Sequence, residues 1–192
     1  TFTMDYLQQM AKQMAWYKMN DFQIHLNDNY IFLEEYSRDG VDPMDAYAAF
    51  RLESDVKEGG NNGLNKADLT AKDVFYTKDE FRDFIQTSRK MGVNIVPEID
   101  TPAHSLAFTK VRPDLRNGTY GRENDHLNLM DKYDQTMEFI QGIFAEYMTE
   151  ENPVFDEETI VHIGADEYNA SSEGYRKYVN DMFDFVEGKG RQ

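Results

Sequence analysis

Apolar positions along the chain follow two spacings, one typical of amphipathic helices and one typical of buried strands. The helical spacing, with an apolar residue at every third or fourth position, predicts helices at Asp5–Met19, Thr77–Met91, Tyr133–Tyr147 and Ser172–Val186. Thr77 and Glu80 fit a capping box at the start of the second helix, and Gly92 follows its end. The first helix carries a stripe of methionine and aromatic side chains, Trp16 among them, that we expect to pack in the core.

Shorter apolar runs lie between these helices, at Asp21–Leu26, Val93–Ile99 and Ile160–Gly164. The last two are almost continuously apolar, as expected for strands that are buried on both faces. Strands that alternate with helices indicate βαβ units and a parallel sheet. The pattern therefore predicts one α/β domain over residues 1–192.

The longest connection runs from Asn29 to Asp73 and contains a glycine-rich segment, Gly59–Gly63. Connections of this length are uncommon, and after parallel strands they usually build binding sites. We expect this segment to lie on the substrate side of the domain, with a short helix around Pro43–Phe50.

Composition excludes several classes of partner. The formal net charge of -16 disfavours nucleic acids and anionic membranes, because both would be repelled. The chain has no cysteine, which rules out disulfides and thiolate zinc sites. We find no apolar run of ~20 residues that would insert into a membrane and no signal peptide. Thr1 leads almost directly into a helix, so we expect the chain to be part of a longer domain.

Polar residues follow each predicted strand, and three of the four histidines lie among them. The three groups are His25, Asn27, Asp28 and Asn29; Glu98, Asp100 and His104; and His162, Asp166 and Glu167. Because the carboxyl ends of parallel strands face the ligand, we expect these side chains to form one site.

Asp166 and Glu167 come directly after a buried strand. Two neighbouring carboxyl groups in different surroundings can divide acidic and anionic roles between them, which points to catalysis. The alternative is a solvated pair in a loop. His104, which follows Pro102, either caps a helix or packs in the core, or it links a carboxylate of the first group to this pair.

The remaining candidates also have two interpretations. His25 and His162 lie within strands and either pack there or contact substrate, and Glu98 and Asp100 either support the site or satisfy backbone donors. Imidazoles and carboxylates could also bind a metal ion. We expect no metal site, because neither an HExxH motif nor an EF-hand loop is present.

Three segments together resemble glycoside hydrolase family 20, the β-N-acetylhexosaminidases. They are Met14–Asn29, Tyr76–Ser105 and His162–Tyr168, in the family's order and with compatible separations. The resemblance implies a (β/α)8 TIM-type barrel that removes terminal β-linked N-acetylhexosamine residues from a glycan. It also implies a retaining reaction in which the substrate's own acetamido oxygen attacks the anomeric carbon. No cofactor is implied.

The same resemblance assigns roles to residues of this chain. It implies that Glu167 is the general acid/base, that Asp166 accepts the acetamido N–H, and that Asp28 and His104 form a supporting relay. It further implies a group of residues that contact substrate or support those that do: His25, Asn29, Glu98, Asp100, His162 and Tyr168. Asn29 and Ala165 depart from the common family pattern and resemble bacterial surface hexosaminidases and lacto-N-biosidases, which implies a location at the cell surface or outside the cell.

A complete barrel needs about 250 residues, whereas this chain has 192 and predicts three strands. The resemblance therefore implies a partial barrel, covering roughly the second to fourth βα units. We expect the isolated chain either to self-associate at its open strand edges or to cover them with rearranged helices, and we expect its isolated activity to be low. Two other functions remain open, a non-catalytic carbohydrate-binding or adhesion module and a metal-dependent α/β hydrolase.

Overall fold

The computed structural model describes residues 1–38, 40–56, 68–118 and 125–192, so the glycine-rich run Gly59–Gly63 lies outside the described residues. The helices are α1 (Met4–Trp16), α2 (Leu33–Arg38), α3 (Lys78–Lys90), α4 (Leu106–Val111), α5 (Tyr133–Tyr147) and α6 (Ser172–Gly188). The strands are β1 (Asp21–His25), β2 (Asn27–Asn29), β3 (Ala48–Phe50), β4 (Asn94–Thr101) and β5 (His162–Gly164). The order of helices and strands confirms the predicted α/β class.

A parallel sheet with the strand order β1-β4-β5 organises the described residues. His25 of β1 lies opposite Glu98 of β4, and Glu98 lies opposite His162 of β5. The register shifts between Glu98 and Thr101 along the β4–β5 pair. This register brings three of the predicted polar residues into one row across the sheet.

The two faces of β1 differ in what they carry. Phe22 and Ile24 face the apolar side, where the Phe22 ring meets Phe84 of α3 edge-on at 6.4 Å between centroids. Gln23 and His25 lie on the other face and are exposed. Strand β4 is buried from Ile95 to its end, because it has a neighbouring strand on each side.

The capping box at α3 is confirmed, since Thr77 accepts from the Glu80 backbone N–H and Glu80 accepts from the Thr77 backbone N–H. The helix predicted around Pro43–Phe50 is wrong apart from one 3-10 turn, Pro43–Asp45. Residues 48–50 instead form β3, which pairs antiparallel with β2. Its backbone groups therefore form hydrogen bonds between strands rather than within a helix.

Placing Trp16 in the core is wrong. Its side chain is 83% exposed, and Leu7 and Ala11 are the buried residues of α1. The helix touches the remainder of the described structure along a narrow stripe, so the apolar residues outside that stripe face solvent. In the described part of the chain, no helix has the length and apolar character to cross a membrane.

Candidate functional site

Asn27 holds the ends of β1 and β4 together. Its buried side chain donates to the backbone carbonyls of Asp100 (2.8 Å) and His104 (3.1 Å) and accepts from the Asp100 backbone N–H (2.8 Å). These three bonds satisfy the amide almost completely, as a buried polar group requires. They fix the backbone of Asp28, the next residue, beside His104.

Asp28, His104 and Glu167 form a continuous line of side chains in contact. His104 Nδ1 lies 3.2 Å from Asp28 Oδ1, and His104 Nε2 lies 3.2 Å from Glu167 Oε2. The hydrogen bond to Asp28 raises the pKa of His104 to about 9, so the imidazole carries a positive charge at neutral pH. Burial acts to raise the pKa of Asp28, but hydrogen bonds from His104, His25 and a backbone N–H hold it well below its usual range.

The backbone turns sharply at this site. His104 (φ 50°), Ala165 (φ 72°) and Glu167 (φ 50°) all lie in the left-handed region, which residues other than glycine rarely adopt. Such conformations cost free energy, and they cluster at functional sites because the surrounding structure maintains them. At Glu167 the turn directs the carboxylate towards His104.

Asp100 lies under the Asp166–Glu167 turn and is only 1% exposed. Its Oδ1 accepts from the Ala165 backbone N–H at 3.2 Å. Burial raises the pKa of Asp100 to about 8, and its hydrogen bond with the neighbouring Asp166 carboxyl adds to the shift. At neutral pH Asp100 is therefore a neutral acid that can donate a hydrogen bond to the Asp166 carboxyl group.

His25 and Glu98 form a second charged group behind Asp28. His25 Nε2 lies 3.3 Å from Asp28 Oδ2, and His25 Nδ1 lies 3.3 Å from Glu98 Oε2. The hydrogen bonds to Asp28 and then Glu98 raise the pKa of His25 to about 10. Burial acts to raise the pKa of Glu98, while His25 and Gln23 hold it below its usual range.

His162 contributes to this region differently. Its Nδ1 accepts a hydrogen bond from the Gly164 backbone N–H at 3.1 Å, which leaves no proton on that nitrogen for Glu98 Oε1, 3.5 Å away. His162 and Glu98 therefore lie close together because they are neighbours on adjacent strands, and His162 does not donate a hydrogen bond to Glu98 through this nitrogen.

A cleft of about 780 Å³ lies at the ends of the strands. Six of the predicted site residues line it: Asp28, Asn29, His104, Asp166, Glu167 and Tyr168. The other four, His25, Glu98, Asp100 and His162, are absent from its lining and lie behind these residues on the sheet. The structure thus separates the predicted site residues that line the cleft from those that do not.

Sequence reasoning missed Asp125, His126 and Tyr175, which also line the cleft. Tyr168 stacks on the His126 ring at 4.9 Å and on the Tyr175 ring at 6.2 Å, so its aromatic face is held between them. Asn29 bonds to Asp125 at 3.2 Å. The adjacent Asp125-His126 pair was the available signal, but it follows no predicted strand.

Two sets of side chains approach closely enough to share a cation: His25, Glu98 and Asp100, and Asp100, His104 and Asp166. Within each set the potential ligand atoms lie within 4.8 Å of one another. Each of these side chains also has a partner within the protein, as described above. Because each potential ligand already has such a partner, neither set needs a cation to satisfy its charges.

The sequence model of the catalytic domain of glycosyl hydrolase family 20 matches residues 1–187. The human beta-hexosaminidase subunit beta is 30% identical over 103 residues, which make up 54% of this chain and 18% of that protein. The beta-hexosaminidase of Akkermansia muciniphila is 25% identical over 170 residues, 84% of this chain and 30% of that protein. The chain thus spans no more than 30% of the length of either relative.

The fold of this chain is similar to that of several solved structures. The beta-N-acetylhexosaminidase of Bacteroides fragilis matches with a TM-score of 0.67 and 18% identity, over 100% of this chain and 38% of that one. A mutant beta-hexosaminidase of Streptomyces plicatus in complex with the product GlcNAc matches with a TM-score of 0.63 and 18% identity, over 99% of this chain and 35% of that one. At these identities the likeness establishes the shared fold alone.

Proposed function

The chain belongs to glycosyl hydrolase family 20, and from this premise we propose that it supplies the acid/base part of an active site that removes terminal β-linked N-acetylhexosamine residues from glycans. The observation that carries the proposal is the line from Asp28 through His104 to Glu167, with Asp166 in the same cleft. GlcNAc, the product bound to the Streptomyces plicatus relative, is the monosaccharide we propose first as the released sugar.

The proposed reaction proceeds in two steps with retention of configuration. The substrate's acetamido oxygen attacks the anomeric carbon while Glu167 donates a proton to the departing glycosidic oxygen. This forms the oxazolinium ring and breaks the glycosidic bond. Glu167 then takes a proton from water, which opens the ring at the anomeric carbon. The exposure of the Glu167 carboxylate, 72%, supports this role because the acid must reach a ligand in the cleft.

Asp166 orients the nucleophile in this proposal. Its carboxylate accepts the acetamido N–H and stabilises the positive charge that develops on the oxazolinium ring. The neutral Asp100 beneath it supports this role, because a hydrogen bond donated by the Asp100 carboxyl holds the Asp166 carboxylate in place without adding a second negative charge.

We further propose that the sheet β1-β4-β5 is an arc of a (β/α)8 barrel. A cleft of about 610 Å³, lined in part by Phe22, Ile24 and Leu26, follows the edge of β1 that has no partner strand among the described residues. An apolar groove beside an unpaired strand edge favours a further strand at that position. In the isolated chain we expect self-association at this edge, measurable as a mass above 22.4 kDa in light scattering, and little turnover.

The test of the function is a comparison of two substitutions in the full-length natural protein. Glu167→Gln should lower kcat at least about 100-fold, and more for a poor leaving group than for 4-nitrophenol, because the better leaving group needs less protonation. Asp166→Asn should lower kcat by about 10²- to 10³-fold. The matched controls are Asp184→Asn and Glu187→Gln, which remove the same charges from exposed positions on α6.

Each result separates the alternatives. Unchanged rates in both variants would end the assignment of the two carboxylates. Sugar binding without turnover in the wild-type protein would favour a carbohydrate-binding module. Loss of turnover on chelation, restored by one metal, would favour the metal-dependent hydrolase.

A further inference from the structure

We propose that the charged line behind Glu167 does not end at Asp28 but continues through His25 to Glu98, and that His25 is a positioning residue for Glu167. The inference rests on the proposed function, because it concerns how the acid of that reaction is held. It adds to that function a role for two residues that lie outside the cleft.

The contacts along the line are continuous and share no atom between successive steps. Glu98 Oε2 approaches His25 Nδ1 and His25 Nε2 approaches Asp28 Oδ2, each at 3.3 Å. Asp28 Oδ1 approaches His104 Nδ1 and His104 Nε2 approaches Glu167 Oε2, each at 3.2 Å. Both imidazoles thus use both ring nitrogens, and Asp28 uses one oxygen on each side.

The strands determine these positions. His25 and Glu98 are partners in the β1–β4 register, so their side chains meet on the same face of the sheet. Gln23, two residues earlier on β1, points to that face as well and donates to Glu98 Oε2 at 2.6 Å. Asp28 is held by the pairing of β2 with β3.

Charge alternates along this line. Both imidazoles are cationic at neutral pH because their pKa values are raised, so Asp28 is a carboxylate between two positive groups. The titratable groups close to His25 are Asp28 from β2 and Glu98 and Asp100 from β4. Rotation of the Asp28 carboxylate towards one imidazole would break its contact with the other. The two contacts together therefore hold the carboxylate in one orientation, and the carboxylate in turn holds the His104 ring.

The two ends of the line differ in burial. The Glu98 side chain is 10% exposed, whereas Glu167 at the opposite end is 72% exposed. A well-buried carboxylate with a hydrogen bond from Gln23 has little freedom to move. The line therefore connects a fixed point in the sheet to the group that reaches the cleft.

Histidine NMR tests the continuity of the line in this chain, which contains only four histidines. In Asp28→Asn the pKa of both His25 and His104 should fall, because Asp28 is the main cause of both shifts. In Glu98→Gln the pKa of His25 should fall. A fall confined to His104 in Asp28→Asn would overturn the continuous line.

Kinetics in the full-length natural protein tests the positioning role. His25→Gln should lower kcat by about 10- to 100-fold with KM within about twofold, the pattern expected when an acid is displaced slightly and substrate still binds. The control is Asp184→Asn on α6, which should leave kcat unchanged. An unchanged kcat in His25→Gln, with a folded protein by circular dichroism, would overturn the positioning role. An inactive wild-type protein would overturn the proposed function, and the histidine titrations would still decide whether the line exists.

Discussion

The end of β4 and the end of β5 lie side by side but differ in almost every physical respect. Glu98, Asp100 and Thr101 on β4 are buried, and each has a polar partner within the protein. Asp166 and Glu167 after β5 are exposed, on a backbone that turns through left-handed conformations. The difference indicates that folding alone completes the contacts at the end of β4, while the two carboxylates after β5, which we propose as the catalytic pair, remain open to a ligand.

The largest effect on stability should come from adding a side chain where β4 and β5 are in closest contact, at Gly164. A Cβ on Gly164 would lie 2.0 Å from Asp100 Oδ1 and 2.5 Å from its Cα, so Gly164→Ala must displace β4 itself. We expect a loss of about 3 kcal/mol or more in the free energy of unfolding, measured by denaturant titration.

Gly92→Ala provides the matched control for that substitution. Gly92 also has a positive φ, +83°, but a Cβ there would meet nothing within 4 Å. It should cost only about 1–2 kcal/mol, from backbone conformation alone. Equal losses in the two variants would mean that the contact between Gly164 and Asp100 is not tight.

Next in size is the pH dependence introduced by Asp100. The folded chain keeps this proton up to about pH 8, while the unfolded chain releases it near 3.8. The folded state therefore binds more protons between these values, and stability should fall as pH rises through this window. Asp100→Asn, which resembles the neutral acid in shape, should remove this part of the decline.

The measurement is the free energy of unfolding of both proteins across that window. At the lower end they should agree within about 1 kcal/mol. At the upper end the variant should be the more stable protein. A wild-type curve that rises with pH more steeply than that of the variant would show that Asp100 is ionised in the folded state.

A smaller effect is expected from the hydrogen bond beneath β4. Tyr178 is buried, and its hydroxyl donates to Thr101 Oγ1 at 2.5 Å. Tyr178→Phe should lower stability by about 1–2 kcal/mol, because the threonine oxygen loses its donor. The melting temperature should fall by roughly 2–8 °C for a chain of this size. Tyr17→Phe, at an exposed position, should change stability by less than about 0.5 kcal/mol.

The smallest effect on stability should be found in the exposed turn after β5. Ala165→Gly relieves a left-handed backbone, worth about 1–2 kcal/mol, and adds freedom to the unfolded chain, worth about 0.5–1 kcal/mol. We expect a net stabilisation below about 1 kcal/mol by thermal unfolding. A destabilisation above that size would mean that the Ala165 methyl group is needed for packing.

The parallel sheet could be predicted from sequence because Val93–Ile99 and Ile160–Gly164 are apolar runs of strand length between clear helices. The prediction that the polar residues after these strands lie close together also followed from the parallel sheet, because the carboxyl ends of parallel strands lie at the same edge. The residues that line the cleft could not be distinguished from those behind it. The alternation of side chains between the two faces of a strand is interrupted at Leu26, between β1 and β2, so it does not predict which face the following residues occupy. His126 was missed for a related reason, since a long-range contact with Tyr168 places it.

Trp16 illustrates a different limit. Helical spacing identified α1 correctly but could not determine how much of its apolar surface is covered, because coverage depends on neighbouring elements. The short strand β3 was similarly hidden, since its pairing with β2 overrides the local preference of Ala48 and Ala49 for a helix.

The Asn27 amide has a consequence for the order in which the molecule assembles. It joins backbone atoms that are 73 and 77 residues away in the sequence. Contacts of such separation require a large loop to close first, so they form late and slowly in folding. Asp28 can meet His104 only after that closure. A chain stalled halfway through folding would therefore have its helices but not the contact between Asp28 and His104.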